Sequence, residues 1–163
     1  MAGHVLTDAS PLIGLARVQG LSWLPALFGA IWMPTEVRAE VLGNRGFAGE
    51  DSILAAEQAG WLMPAPLAPP QPALPDLDEG EAACIRIALA QSAPVLLLMD
   101  ERAGRAVAQE LGLQVAGTAA VIGMARQRGL IASARQVFDR LHQGDFRIAP
   151  QVIKTVLARV GEL

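Results

Sequence analysis

The chain has 163 residues, 52% hydrophobic and 18% charged, which fits one compact domain, residues 1–163, with a substantial core and no need of a second. Its longest apolar runs are about strand length, short of the roughly 20 residues that span a bilayer, and Met1-Ala2-Gly3-His4 lack the basic and long apolar regions of a secretory signal, so a soluble cytoplasmic protein is expected. The net charge of −3 is not that of a protein that coats nucleic acid, yet Lys154 is the only lysine among 13 cations, and arginine's planar fork suits phosphate as well as carboxylate.

His4 to Thr7 reads as a first strand. Asp8 or Ser10 can cap the helix that follows, with Pro11 in its first turn and apolar positions from Leu12 to Phe28 carrying it to about Gly29, bent or ended in part by Pro25. Ala30 to Met33 is a second strand, Pro34-Thr35 opens a helix to about Leu42, and Gly43-Asn44-Arg45-Gly46 is expected as loop. A short helix from Ser52 to Ala59 precedes an edge strand at Trp61-Leu62-Met63. Residues 64–76 are proline-rich and lose amide donors repeatedly, so they are expected as an extended surface connection.

Asp78 then caps a helix from Glu79 to about Gln91, Val95 to Met99 forms a buried strand, and Arg102 to Leu111 is helical. Leu113 to Ala116 is another strand, and Gly117-Thr118 leads into a helix to Arg128. Helices near Ser133 to His142 and Pro150 to Val160 complete the order. Short apolar strands alternating with helical periodicity favour a parallel sheet covered by helices on both faces.

In such a sheet the functional edge lies beyond the carboxyl ends of the strands, near a reversal of strand order. Asp8 and Asp100 fall at that edge directly, and Thr118 holds the equivalent place after Leu113 to Ala116. Glu81 opens the helix before the Asp100 strand, and Glu40 lies on a helix that the sheet could carry to the same mouth. Two like charges about 4 Å apart repel by roughly 4 kcal/mol at an effective dielectric of 20, so a cluster of four acids calls for cations or protonation. Oxygen donors select Mg²⁺ or Mn²⁺; no Cys/His cluster favours zinc, and His4 and His142 are far apart in sequence. Such an ion could activate a water and stabilise charge on a phosphodiester, with a second ion to assist the leaving oxygen.

Each acid has a structural alternative. Asp8 could cap the Pro11 helix and Asp100 the Arg102 helix, Glu40 could be solvated beside Arg38, and Glu81 completes a capping box, Asp78-Glu79-Gly80-Glu81. Glu101 is a substitute ligand for Asp100. Ser10 and Thr118 could bond the backbone locally or support the acids. Cys84 lies among apolar residues with nothing to activate its thiol, and Trp23, Trp32 and Trp61 read as core or interface residues rather than base-stacking platforms.

Val5-Leu-Thr-Asp-Ala-Ser-Pro-Leu-Ile13, Pro34-Thr-Glu-Val-Arg-Ala-Glu-Val41, Asp78-Glu-Gly-Glu-Ala82, Leu98-Met-Asp-Glu-Arg-Ala-Gly-Arg105 and Val115-Ala-Gly-Thr-Ala119 together resemble the PIN-domain superfamily. Among its branches they look most like the small prokaryotic PIN-like proteins of the DUF3368 type, related to toxins of toxin–antitoxin pairs. The resemblance covers nearly the whole chain, through Gly129-Leu-Ile131 and Gly144-Asp-Phe-Arg-Ile148. It implies a three-layer α/β/α sandwich with a mainly parallel sheet and Mg²⁺- or Mn²⁺-dependent ribonuclease chemistry. By position, Asp8, Glu40, Glu81 and Asp100 match the acidic quartet as catalytic and metal-binding residues, with Ser10, Thr118 and Glu101 in support. Many members have aspartate at the third position, where this chain has Gly80-Glu81.

A toxin would be expected to bind RNA as substrate and a small antitoxin as partner. A homodimer is expected from the high apolar content. A second reading is a non-catalytic binding or interaction module that keeps the fold. A phosphate-transfer receiver fits poorly, because Lys154 lies on the terminal helix, and a P-loop enzyme fits worse, because no Gly-x-x-x-x-Gly-Lys occurs.

Overall fold

The computed structural model describes residues 3–43 and 49–163. Five strands, β1 (His4–Thr7), β2 (Ile31–Met33), β3 (Leu62–Pro64), β4 (Val95–Leu98) and β5 (Gln114–Ala116), form one all-parallel sheet in the order β3-β2-β1-β4-β5. Around it lie α1 (Ala9–Arg17), α2 (Trp23–Phe28), α3 (Thr35–Gly43), α4 (Glu50–Ala59), α5 (Glu79–Leu89), α6 (Arg102–Glu110), α7 (Thr118–Gln127), α8 (Ala134–Gln143) and α9 (Pro150–Arg159). The result is the expected α/β sandwich.

The strands are short and apolar because the central ones are covered on both faces, which favours continuous Leu, Ile and Val runs over alternation. Leu6, Leu97 and Leu98 of the central strands, Leu12 and Leu15 of α1, and Ile85 and Ile87 of α5 are almost wholly withdrawn from solvent. Each such side chain contributes about 1.5–3 kcal/mol through burial. Cys84 belongs to this core; its thiol faces the Thr7 carbonyl at 3.6 Å, and burial pushes its pKa well up, so it is inert packing. Trp23 is buried. Trp32 stacks on His4 with ring centroids 3.8 Å apart, which gives both residues a packing role.

The helix expected to run from Asp8 or Ser10 to Gly29 is two helices, and the break is not at Pro25. Gln19 adopts a left-handed φ of 54°, and the Gly20 amide reaches back to the Leu15 carbonyl at 2.7 Å. Pro25 is the third residue of α2, in the first turn, where a missing amide leaves no helical hydrogen bond unmade. Of the loop expected at Gly43 to Gly46, Gly43 ends α3 and residues 44–46 lie outside the described residues. The proline-rich segment is irregular after Pro64 closes edge strand β3, and Arg86 Nε holds it to α5 by donating to the Pro72 carbonyl at 2.8 Å. Among the described residues no helix is long and apolar enough to cross a membrane.

The topology fixes where a site can form. From β1 the chain steps to β2 and β3 on one side, then returns to place β4 and β5 on the other. The reversal therefore falls between β1 and β4, whose loops diverge and leave a crevice beyond their carboxyl ends. Thr7 lies opposite Leu98 in the register, and the Asp8 amide donates to the Leu98 carbonyl at 2.9 Å. Asp8 and Asp100 thus leave adjacent strands at the switch point.

Candidate functional site

Asp8 occupies the N-cap position of α1, but its side chain makes no capping hydrogen bond. It is only 3% exposed, and its Oδ1 is buried without a partner. An unpaired buried carboxylate oxygen is costly. Burial pushes the Asp8 pKa from 3.8 up to about 7, against the Ala9 amide, and the charges of Asp78, Glu81 and Glu40 push the same way.

Glu81 takes the capping role open to it in the sequence and keeps one oxygen out of it. Its amide donates to Asp78 Oδ1 at 2.8 Å while its Oε1 accepts from the Asp78 amide at 3.2 Å, which is a complete capping box at the start of α5. Its second oxygen, Oε2, is buried and unpartnered. Burial raises its pKa, the Asp78 amide opposes this, and the charges of Asp78 and Glu101 add to it.

Asp100 does not cap α6; Glu101 holds that position, exposed and without a capping bond. The Asp100 carboxylate reaches across to α7 instead. Its Oδ1 accepts from the Thr118 amide at 2.7 Å and its Oδ2 from the Thr118 hydroxyl at 2.8 Å. Thr118 is wholly buried, so this clamp fixes the rotamer of Asp100. Burial raises the Asp100 pKa, while Thr118 and the Arg105 guanidinium hold it down.

Glu40 lies exposed on α3, but not in an ion pair with Arg38, which binds Glu57 at 2.7 Å. Atoms crowding one side of the Glu40 carboxylate remove enough water to raise its pKa, and Asp78 adds to the effect. Ser10 is half-buried and lines the same cleft as Asp100.

Glycines let these acids approach. A methyl group on Gly80 would lie 3.0 Å from Asp8 Oδ1 and 3.4 Å from Glu40 Oε2, so both carboxylates converge on the bare first turn of α5. On Gly104 it would lie 2.6 Å from Glu81 Oε2 and 2.8 Å from Met99 Sδ; on Gly117, 2.9 Å from Asp100 Oδ1. In the sequence these glycines carry no mark of their own and Asp78 reads only as a cap. The signal lies in their placing: Gly80 precedes Glu81 and Gly117 precedes Thr118. Gly104→Ala is expected to displace the Glu81 carboxylate and lower any metal affinity about tenfold or more. A metal titration of the variant followed by melting temperature checks this; unchanged affinity would show that Glu81 Oε2 is not engaged.

Asp8, Glu40, Glu81 and Asp100 are hard oxygen donors of the kind Mg²⁺ or Mn²⁺ takes. Two carry orphaned buried oxygens, and among the described residues none of the four is in an ion pair. In kind, the donors fit a divalent cation. Their spacing is looser, since among the described residues no group of three or more His, Cys, Asp or Glu side chains is drawn together closely enough to hold an ion. A family model described as DUF3368, PIN domain, matches residues 4–162. No curated protein and no solved structure matches the chain.

Proposed function

The chain belongs to the DUF3368 family of PIN domains, a nuclease-type fold, and from that premise we propose that it is a Mg²⁺- or Mn²⁺-dependent endoribonuclease. The observation that carries this reading is the pair of buried, unpartnered oxygens, Asp8 Oδ1 and Glu81 Oε2, in a cluster of carboxylates without a paired cation among the described residues. Asp8, Glu40, Glu81 and Asp100 would hold the ion. When bound, it supplies Lewis acidity, activating water towards phosphorus and offsetting charge on the phosphodiester. The Thr118 clamp orients Asp100 and opposes the upward push of burial on its pKa, and the capping box holds Glu81 with one oxygen free. Ser10 and Glu101 flank the mouth and orient water or phosphate.

Purified protein incubated with structured RNAs and Mn²⁺, beside Asp8→Asn and Asp100→Asn, tests the proposal. Cleavage by the wild type and its loss in both variants is expected; cleavage unchanged by both substitutions would identify a contaminant and sink the assignment. The looser spacing of the acids favours a second reading, a non-catalytic module that keeps the fold. Calorimetry showing no Mg²⁺ or Mn²⁺ binding at millimolar concentrations would select it.

The same reading extends to the toxin of a toxin–antitoxin pair, acting in the cytoplasm and held inactive by a small protein partner. Growth arrest on expression, relieved by the product of the adjacent reading frame, is its test. Exposed apolar side chains such as Leu67 and Leu111 support a homodimer, to be checked by sedimentation.

A further inference from the structure

Residues 144–149, which join α8 to α9, are fastened at three points, and one of them depends on a proton. The Phe146 ring sits on the bare face of Gly14 in α1, where a methyl group would lie 2.7 Å from Cε2 and 2.9 Å from Cζ. Arg147 Nη1 donates to the carbonyls of His142 at 2.8 Å and Gly144 at 2.6 Å, which closes the turn on itself. The third is the Ile148 amide, which donates at 3.2 Å to Nε2 of His142 in the last turn of α8.

This third contact is conditional. An imidazole nitrogen accepts a hydrogen bond only when it carries no proton, so His142 must be neutral with its proton on Nδ1. A proton taken from solvent at Nε2 makes that atom a donor. It then sets N–H against N–H, and the Ile148 amide loses its partner. Histidine is the side chain that ordinarily makes this change between about pH 5 and 8.

The charged groups around the imidazole come from several elements. Asp145 and Arg147 belong to the segment itself, Asp139 and Arg140 to α8, and Arg17 to the end of α1, its Nη1 3.4 Å from where a methyl group on Gly144 would lie. From α9 come Lys154 and Arg159, and from α7 comes Arg126, which is paired with Glu162 at 3.2 Å. Across the cleft of about 970 Å³ that the segment walls stand Asp100, Glu101, Arg102 and Arg105. Arginine and lysine keep their charge throughout that pH range, so only the carboxylates remain as rivals to His142.

We propose that residues 144–149 form a proton-released strap. Neutral His142 holds it against α1 by accepting from the Ile148 amide, and protonation at Nε2 lets it go, loosening the wall of the cleft that Ser10 and Asp100 also line. The strap stands whether or not the site cuts RNA, since it concerns the wall and not the acids.

The other end of the α8–α9 hairpin is fastened differently. The Glu162 carboxylate accepts from the Ala134 amide at 2.6 Å, the Ser133 hydroxyl at 2.8 Å and the Arg135 amide at 3.2 Å. Burial pushes its pKa up, but these donors and Arg126 outweigh burial and lower it from 4.5. A carboxylate lowered in this way lets go only as the pH falls below 4.5, so release at pH 5 to 8 is confined to the strap end.

The test is amide hydrogen exchange read by NMR from about pH 8 to 5.5, each rate divided by its intrinsic value at that pH, beside the nitrogen shifts of the imidazoles. In the wild type, protection of the Ile148 amide is expected to fall about tenfold in step with the His142 shift, while the Ala134 amide keeps its protection. His142→Gln offers an oxygen that accepts without titrating and is expected to abolish the pH dependence. His142→Leu has no acceptor and should show at pH 8 the weak protection that the wild type reaches at pH 5.5. His4→Gln, which removes the only other histidine, should behave as wild type.

Flat Ile148 protection in the wild type while His142 titrates would overturn the strap. So would the wild-type profile persisting in His142→Gln, which would assign the change to a carboxylate such as Asp145, or its disappearance in His4→Gln. Loss of protection at Ala134 together with Ile148 would mean that the whole hairpin opens and that no strap is released.

Discussion

Asp8→Asn is expected to raise the melting temperature of the metal-free protein at pH 8 by roughly 8 to 16 °C while lowering Mn²⁺-dependent cleavage on the order of a thousandfold. A carboxyl moved from 3.8 to about 7 by burial opposes the ionised folded state by on the order of 4 kcal/mol. The sign follows from proton uptake. Between pH 4 and 7 the folded chain binds a proton at Asp8 that the unfolded chain does not, so stability is greatest below about pH 4 and falls as the pH rises to 7. Asparagine removes that dependence. Thermal melts of both proteins across pH 4 to 8 should therefore diverge with rising pH and coincide near pH 4. Adding Mn²⁺ should stabilise the wild type and leave the variant unmoved. A variant that melts lower than wild type at pH 8 would mean that the Asp8 carboxylate is already satisfied, and the case for a cation there would fail.

Thr118→Val should act in the opposite direction on stability. Valine keeps the shape and the backbone amide but removes the hydroxyl that donates to Asp100 Oδ2 at 2.8 Å. A hydrogen bond to a charged group contributes about 1.5–3 kcal/mol, and at about 2–4 °C per kcal/mol the melting temperature should fall by roughly 3 to 12 °C. Mn²⁺ affinity should fall about 10- to 100-fold, because Asp100 loses the group that orients it and helps keep it ionised. A metal titration at pH 6 and pH 8 separates the two effects. The affinity loss should be larger at pH 6 than at pH 8, because without the Thr118 hydroxyl the Asp100 pKa moves further up and protons compete better with the cation. Equal loss at both would leave orientation as the sole role of Thr118.

The positions of Asp8 and Asp100 were legible because strand ends announce themselves. Short apolar runs of Val and Leu stop at Asp8 and Asp100, and any parallel arrangement carries those positions to the carboxyl edge. The break between α1 and α2 was not legible, because it depends on the Gly20 amide reaching Leu15 and not on the proline that marks the sequence. Asp78 read as a cap and is one, yet its charge also bears on Asp8 and Glu40 through space, which spacing along the chain cannot reveal.

By itself the sequence determined the succession of strands, most of the helices, the family and the placing of Asp8 and Asp100 after their strands, since hydrophobic periodicity and turn chemistry are local properties that each segment carries with it. The tertiary structure alone decided which oxygens remain unpaired, that Asp100 is clamped by Thr118 and not spent on its own helix, that three glycines make room for the carboxylates, and that four arginines from distant segments share one cleft. Those are distances between residues far apart along the chain, and they exist only once the sheet has brought β1, β4 and β5 side by side.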